Sequence, residues 1–147
     1  MAVGDEFQRG TVPLHLTVLP NTRVAMGRAA AVESAIREVA RSTEPITATA
    51  DGYASFGDAG DVQVTTVDVT VELQRLHLRL LQGVQQAGGE PATPAYNGKG
   101  YRPHITHTHD HQVVRPGEQV SLRSVVLLDC TQPIRHVTTI ADLAAPR

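Results

Sequence analysis

Two tripeptides constrain this chain more than anything else in it. His15-Leu16-Thr17 and His104-Ile105-Thr106 lie 89 positions apart, each inside a stretch of aliphatic and β-branched residues. In a strand, residues i and i+2 share a face about 6.5–7 Å apart. Each histidine therefore stands beside its own threonine, while Leu16 or Ile105 turns to the opposite face and into a core. Burying an unpaired imidazole or hydroxyl is costly, so the His-Thr faces are expected to line an open cleft. The pattern calls for a fold in which two similar extended segments, one from each half, run side by side.

The remaining patterning agrees with an α+β fold. Residues 12–19, 46–56, 62–69, 101–107, 120–129 and 136–143 read as strands, with a kink expected at Asp51-Gly52. Residues 23–41 carry Ala25, Ala29, Val32, Ile36, Val39 and Ala40 on one stripe and read as a first helix. A second helix is expected over 71–86, where Leu73, Leu76, Leu80, Leu81 and Val84 recur at helical spacing. Thr70 or Asp68 is placed to cap it, and Gly88-Gly89 to stop it. With strands outnumbering helices, the sheets should be mostly antiparallel. The 147 residues suit a single domain of two small lobes, each a sheet with a helix, around a central cleft.

Charge and composition remove whole classes of function. The formal net charge is −2, so there is no cationic surface for a long nucleic-acid duplex. Aromatic residues make up 3% of the chain and Trp is absent, which argues against a stacking platform for single strands. Cys130 is the only cysteine, so neither a disulfide nor a Cys-based zinc cluster is available, and the residue is expected to be buried. No apolar run approaches the length of a membrane span, and the first ten residues are polar. A cytoplasmic monomer acting on a small ligand is the expectation.

Two imidazoles and two hydroxyls at one cleft suit a phosphodiester. One histidine takes a proton from the attacking oxygen, and the other returns one to the leaving oxygen. Threonine hydroxyls and an arginine can hold the non-bridging oxygens. No metal or other cofactor is required by this scheme. In strand geometry Arg102 shares the face of His104 and Thr106, which makes it the candidate phosphate-binding cation, and Tyr101 abuts it.

The paired His-x-Thr elements, the Arg102-Pro103-His104-Ile105-Thr106 context and the chain length resemble the two-histidine (2H) phosphoesterases. That group includes 2′-5′ RNA ligase-like proteins and cyclic nucleotide phosphodiesterases. The resemblance implies two similar α+β lobes around a cleft, and metal-independent action on a 2′,3′-cyclic or 2′-5′-linked phosphodiester. It makes His15 and His104 the acid–base pair and Thr17 and Thr106 the phosphate-holding hydroxyls. A small nucleotide or oligonucleotide would be the substrate, including a cyclic or short oligonucleotide second messenger.

The run His107-Thr108-His109-Asp110-His111 lies outside the resemblance. If the strand continued, its three histidines would share the face opposite His104. A metal-dependent hydrolase built on them is one alternative, and a histidine-triad site is another. A polar strand end is the simplest reading. A nucleotide-binding module without turnover is the non-enzymatic alternative. His77 sits on the apolar stripe of the second helix and is expected to be packed. Tyr53 and Phe56 are among the few rings, and the loop with Tyr96, Asn97 and Lys99 is placed to act as a lid.

Overall fold

The structure, a computed structural model, describes residues 1–144. Its elements run β1 (Glu6–Gln8), β2 (Thr22–Val24), α1 (Ala29–Arg41), β3 (Ile46–Phe56), β4 (Val62–Val67), α2 (Val71–Gln86), β5 (Gly89–Pro91), β6 (His104–Thr106), β7 (Gln119–Leu122), β8 (Ser124–Asp129) and β9 (Ile134–Asp142). A three-stranded sheet has the order β1-β9-β8, and a four-stranded sheet the order β6-β4-β3-β7. Every pairing in both is antiparallel. β2 and β5 form a separate two-stranded ribbon. The α1 helix packs on β8 and β9, and α2 packs on β3, so each larger sheet carries one helix. This is the expected α+β arrangement of two lobes.

Local sequence accounts for most of these elements. The α2 helix keeps its apolar residues on one stripe and buries Leu73, Leu76, His77, Leu80 and Val84. Thr70 caps it, its side-chain oxygen accepting from Leu73 N. The first helix is shorter than its alanine-rich pattern suggests. Residues 22–24 are taken by the pairing of β2 with β5, and Gly27 turns the chain at φ +86° before the helix begins. In β3 the register shifts between Ala50 and Gly52, a bulge at the expected kink. The apolar stretch expected as one strand over 120–129 is two. β7 pairs with β3 and β8 pairs with β9, so the chain changes sheets at Arg123. Cys130, expected to be buried, is exposed.

Two clusters make the core. In one, Val32, Ile36, Val39 and Ala40 of α1 meet Leu76, Leu80 and Val84 of α2 together with Val125 and Ala141. In the other, Ala48, Ala50, Val67 and Leu73 surround Tyr101, Ile105 and Val114. Leu14, Leu16 and Val18 pack against the second cluster, and Val18 and Leu19 against the first. The segment expected as a first strand over 12–19 is therefore a seam between the cores. It forms a single bridge, Leu16 to Ile105, rather than a ladder.

His77 pins this seam from behind. It is fully buried. Its Nδ1–H donates to Val18 O at 2.8 Å, and its Nε2 accepts from Gly98 N at 2.9 Å. That arrangement requires a neutral ring, and burial lowers its pKa from the ordinary value. In the unfolded chain the ring binds a proton below about pH 6.5, while in the folded chain it resists until lower pH. Stability is therefore complete above about pH 6.5 and is lost as pH falls through the interval down to the depressed folded value. Urea unfolding at pH 7.5 and 5.5 should show lower stability at the acid value. His77→Leu should cost about 2–4 kcal/mol at pH 7.5, by leaving two backbone groups unpaired, and should flatten the acid loss.

Candidate active site

The Leu16–Ile105 bridge is antiparallel. Its flanking residues consequently face each other crosswise: His15 across from Thr106, and Thr17 across from His104. Ile105 is buried and Leu16 packs against the same cluster, which leaves all four polar side chains on the other face. The four are partly exposed. The two histidines occupy diagonal positions across the bridge, for which separations of about 7–8 Å, somewhat less between Cβ atoms, are usual.

Both imidazoles are held in the same way. His15 Nδ1 lies 2.8 Å from Pro13 O, and His104 Nδ1 lies 2.8 Å from Arg102 O. A carbonyl can only accept, so each Nδ1 carries the proton and each Nε2 is left with its lone pair when the ring is neutral. The same bond to the carbonyl two residues earlier recurs at both motifs. It fixes ring orientation as well as tautomer.

The second motif sits in a fuller environment. β6 pairs with β4, placing Thr66 directly opposite His104 and Val64 opposite Thr106. Thr66 Oγ1 donates to Gly52 O at 3.2 Å. Phe56 meets the His104 ring edge-on, with centroids 4.7 Å apart. The Arg102 guanidinium lies over the same phenyl ring, 4.7 Å from its centroid. Burial, above all, lowers the His104 pKa from the ordinary imidazole value. The bond to Arg102 O opposes this, and the nearby His15 and Arg102 charges add to it.

Not every expected site residue faces the cleft. Tyr101, expected among the substrate-binding residues, is buried to 5% exposure. Its hydroxyl donates to Thr17 O at 2.9 Å, and its ring stacks on His77 with centroids 4.1 Å apart. The side chain is thus a brace between the approach to the second motif and the backbone of the first. Arg102 is exposed and belongs to the segment before β6 rather than to the strand. The Gly98 turn is tied to α2 by Gln74 Nε2, which donates to Gly98 O, and by His77. Phe56 stands out in the sequence only as one of few rings, and its place against His104 is a finding of the structure.

The histidine run takes three separate paths. His107 Nε2 bonds Thr65 Oγ1, which itself donates to Val114 O. His109 packs so closely on Gly10 that any β-carbon there would meet the ring at 2.1 Å, and its N–H donates to Gly10 O. His111 sits in a left-handed turn at φ 64°. Among the described residues, no three His, Cys, Asp or Glu side chains gather closely enough to hold a metal ion. Nor is any helix among them long and apolar enough to cross a membrane.

Comparison with known proteins places this arrangement. The family pattern "2′-5′ RNA ligase superfamily" matches residues 5–115, which include both motifs. No curated protein sequence matches the chain. Among solved structures, TT0787 of Thermus thermophilus superposes with a TM-score of 0.64 at 18% identity, covering 91% of this chain and 80% of that one. A phosphoesterase gives 0.58 at 16% identity, covering 90% and 78%. Escherichia coli LigT in its apo form gives 0.54 at 15% identity, covering 90% and 77%. At such identities the likeness is one of fold.

The twin Nδ1 bonds make a direct spectroscopic prediction. At pH 8, imidazole 15N shifts of His15 and His104 should both report a protonated Nδ1 and a bare Nε2. An Nε2–H tautomer at either residue would contradict the geometry.

Proposed function

The chain belongs to the 2′-5′ RNA ligase superfamily, and from that premise we propose that it is a metal-independent phosphodiesterase acting on a small 2′,3′-cyclic or 2′-5′-linked nucleotide. The observation that carries the reading is the pair of bare Nε2 atoms, each fixed by an Nδ1–H bond to a backbone carbonyl, on motifs joined crosswise at Leu16 and Ile105.

His104 is the better base. A general base has to start neutral, and burial favours the neutral imidazole there. Its Nε2 takes a proton from water as the water oxygen attacks phosphorus. His15, on the opposite side of the phosphoryl group, starts protonated and gives its Nε2 proton to the departing ribose oxygen. For a 2′,3′-cyclic substrate one P–O bond forms and one breaks, yielding a phosphomonoester and a free hydroxyl. The two histidines finish with exchanged protonation states, and solvent resets them. Thr17 and Thr106 donate to the non-bridging oxygens, and Arg102 balances their charge.

The same groups would serve a ribose 5′-hydroxyl in place of water, which is ligation. Hydrolysis is favoured by the charge balance. Lys and Arg number 13 against 15 Asp and Glu, which gives little purchase on two RNA ends. Product analysis with a 2′,3′-cyclic mononucleotide, with and without a 5′-hydroxyl oligonucleotide, separates the two chemistries. A joined product as the main outcome would overturn the hydrolytic assignment.

Kinetics of the purified protein test the roles of the side chains. His15→Ala and His104→Ala should each lower kcat by about 10²–10⁴-fold in excess chelator, since each deletes one proton transfer. Thr17→Ala and Thr106→Ala should cost less. A variant series in which His109→Ala costs more than His104→Ala would refute the assignment. Against pH, kcat/KM should rise through a limb centred below about 6.5, where the base is protonated, and fall again where the acid loses its proton. The apparent values belong to the coupled pair. A rate that climbs steadily to pH 9 would contradict the mechanism.

A further inference from the structure

We infer that Phe56 is a positioning residue of this site, with one ring seating both the Arg102 guanidinium and the His104 imidazole. The inference rests on the assignment of His104 to catalysis made above, and goes beyond it in naming what sets the two groups in place.

Phe56 pairs with Val62, whereas His104 pairs with Thr66, four residues further along the same strand. Four residues of flat strand span about 13 Å, and β4 lies between the two. Ring centroids 4.7 Å apart therefore require the β3–β4 hairpin to curl back over the sheet. The bulge between Ala50 and Gly52 supplies extra twist in β3. The hairpin end closes on Gly57 at φ +88°, so the chain can reverse immediately after the ring.

The contacts then divide the ring's surface. One face carries Arg102, at cation–π distance. An edge-on contact at 68° meets His104. Arg102 forms no salt bridge among the described residues, so the phenyl ring is what orients this exposed, flexible cation. The ring also displaces water from one side of His104. The titratable or charged groups acting on that imidazole are His15 from the first motif and Arg102. The strands facing it contribute Thr66 and Phe56, which are uncharged. Removing the ring would thus free the cation and wet the base together, two effects with different kinetic signatures. An ordinary core phenylalanine would show neither.

The test uses Phe56→Leu, Phe56→Tyr and Arg102→Gln, with His104 titrated by imidazole NMR and kinetics measured on a 2′,3′-cyclic mononucleotide. In Phe56→Leu the His104 midpoint should move up towards that of free imidazole. Phe56→Tyr, which keeps the ring, should restore the wild-type midpoint. KM should rise about three- to tenfold in both Phe56→Leu and Arg102→Gln, in line with an exposed cation–π contact and a lost phosphate contact. The double variant should be little worse than either single one, because the ring acts on KM through the cation. An unmoved His104 midpoint, or fully additive KM effects, would overturn the inference. Should Phe56→Leu fail to fold, Arg102→Gln and Phe56→Tyr still decide it. A wild-type His104 midpoint at or above that of free imidazole, or a Phe56→Tyr midpoint differing from wild type, counts against the ring. The titration needs no turnover, so an inactive protein with the predicted midpoints would sink the proposed function and leave this inference standing.

Discussion

One antiparallel bridge, Leu16 to Ile105, holds the site together. It joins segments 89 positions apart by their apolar middle residues, and so turns both histidines and both threonines to the other face. The crosswise pairing it imposes sets each histidine against the other motif's threonine. Two apolar side chains thereby determine where four polar ones stand. The surroundings of the bridge keep it in register. Ile105 is locked in the second core cluster, while Leu14, Leu16 and Val18 press on it from the seam. Tyr101 and His77 hold the carbonyls of Thr17 and Val18.

The two motifs are alike in backbone geometry and unlike in surroundings. Both rings donate Nδ1–H to a carbonyl two residues back. Among the described residues, only His104 has a phenyl ring against it, one that also carries an arginine. The duplicated motif supplies two imidazoles held in the same tautomer. The asymmetry lies in what packs around them, and burial favours the neutral form of His104. In the proposed mechanism, which histidine is base and which is acid follows from the neighbourhood rather than from the motif.

Local patterns made a good part of this legible. The α2 helix runs over the residues its apolar spacing indicates and is capped by Thr70. β3 and its kink fall at their expected places. What local pattern could not reveal depends on partners distant in sequence. β1, β2 and β5 are three residues each and exist only through pairing. Residues 12–19 have a strand's composition, yet their groups are spent on two cores and one bridge. The split falls at Arg123-Ser124, two polar residues that by themselves do not end a strand, and it is set by which sheet each half joins. In the candidate site, the His-x-Thr spacing singled out two segments that the structure joins by one bridge. Tyr101 abuts the second motif in sequence, but its hydroxyl reaches back to Thr17 O, a partner 84 positions away that local spacing does not convey. Phe56 owes its place to a hairpin that curls, which no spacing rule conveys.

The most direct test of the central claim is a crystal structure with a nucleoside 2′-monophosphate bound. The account predicts the phosphoryl group between the two rings, with the Nε2 atoms of His15 and His104 each within hydrogen-bond distance of a different oxygen, and Thr17 and Thr106 on the remaining ones. A phosphate held by one histidine alone, or seated elsewhere on the protein, would contradict it.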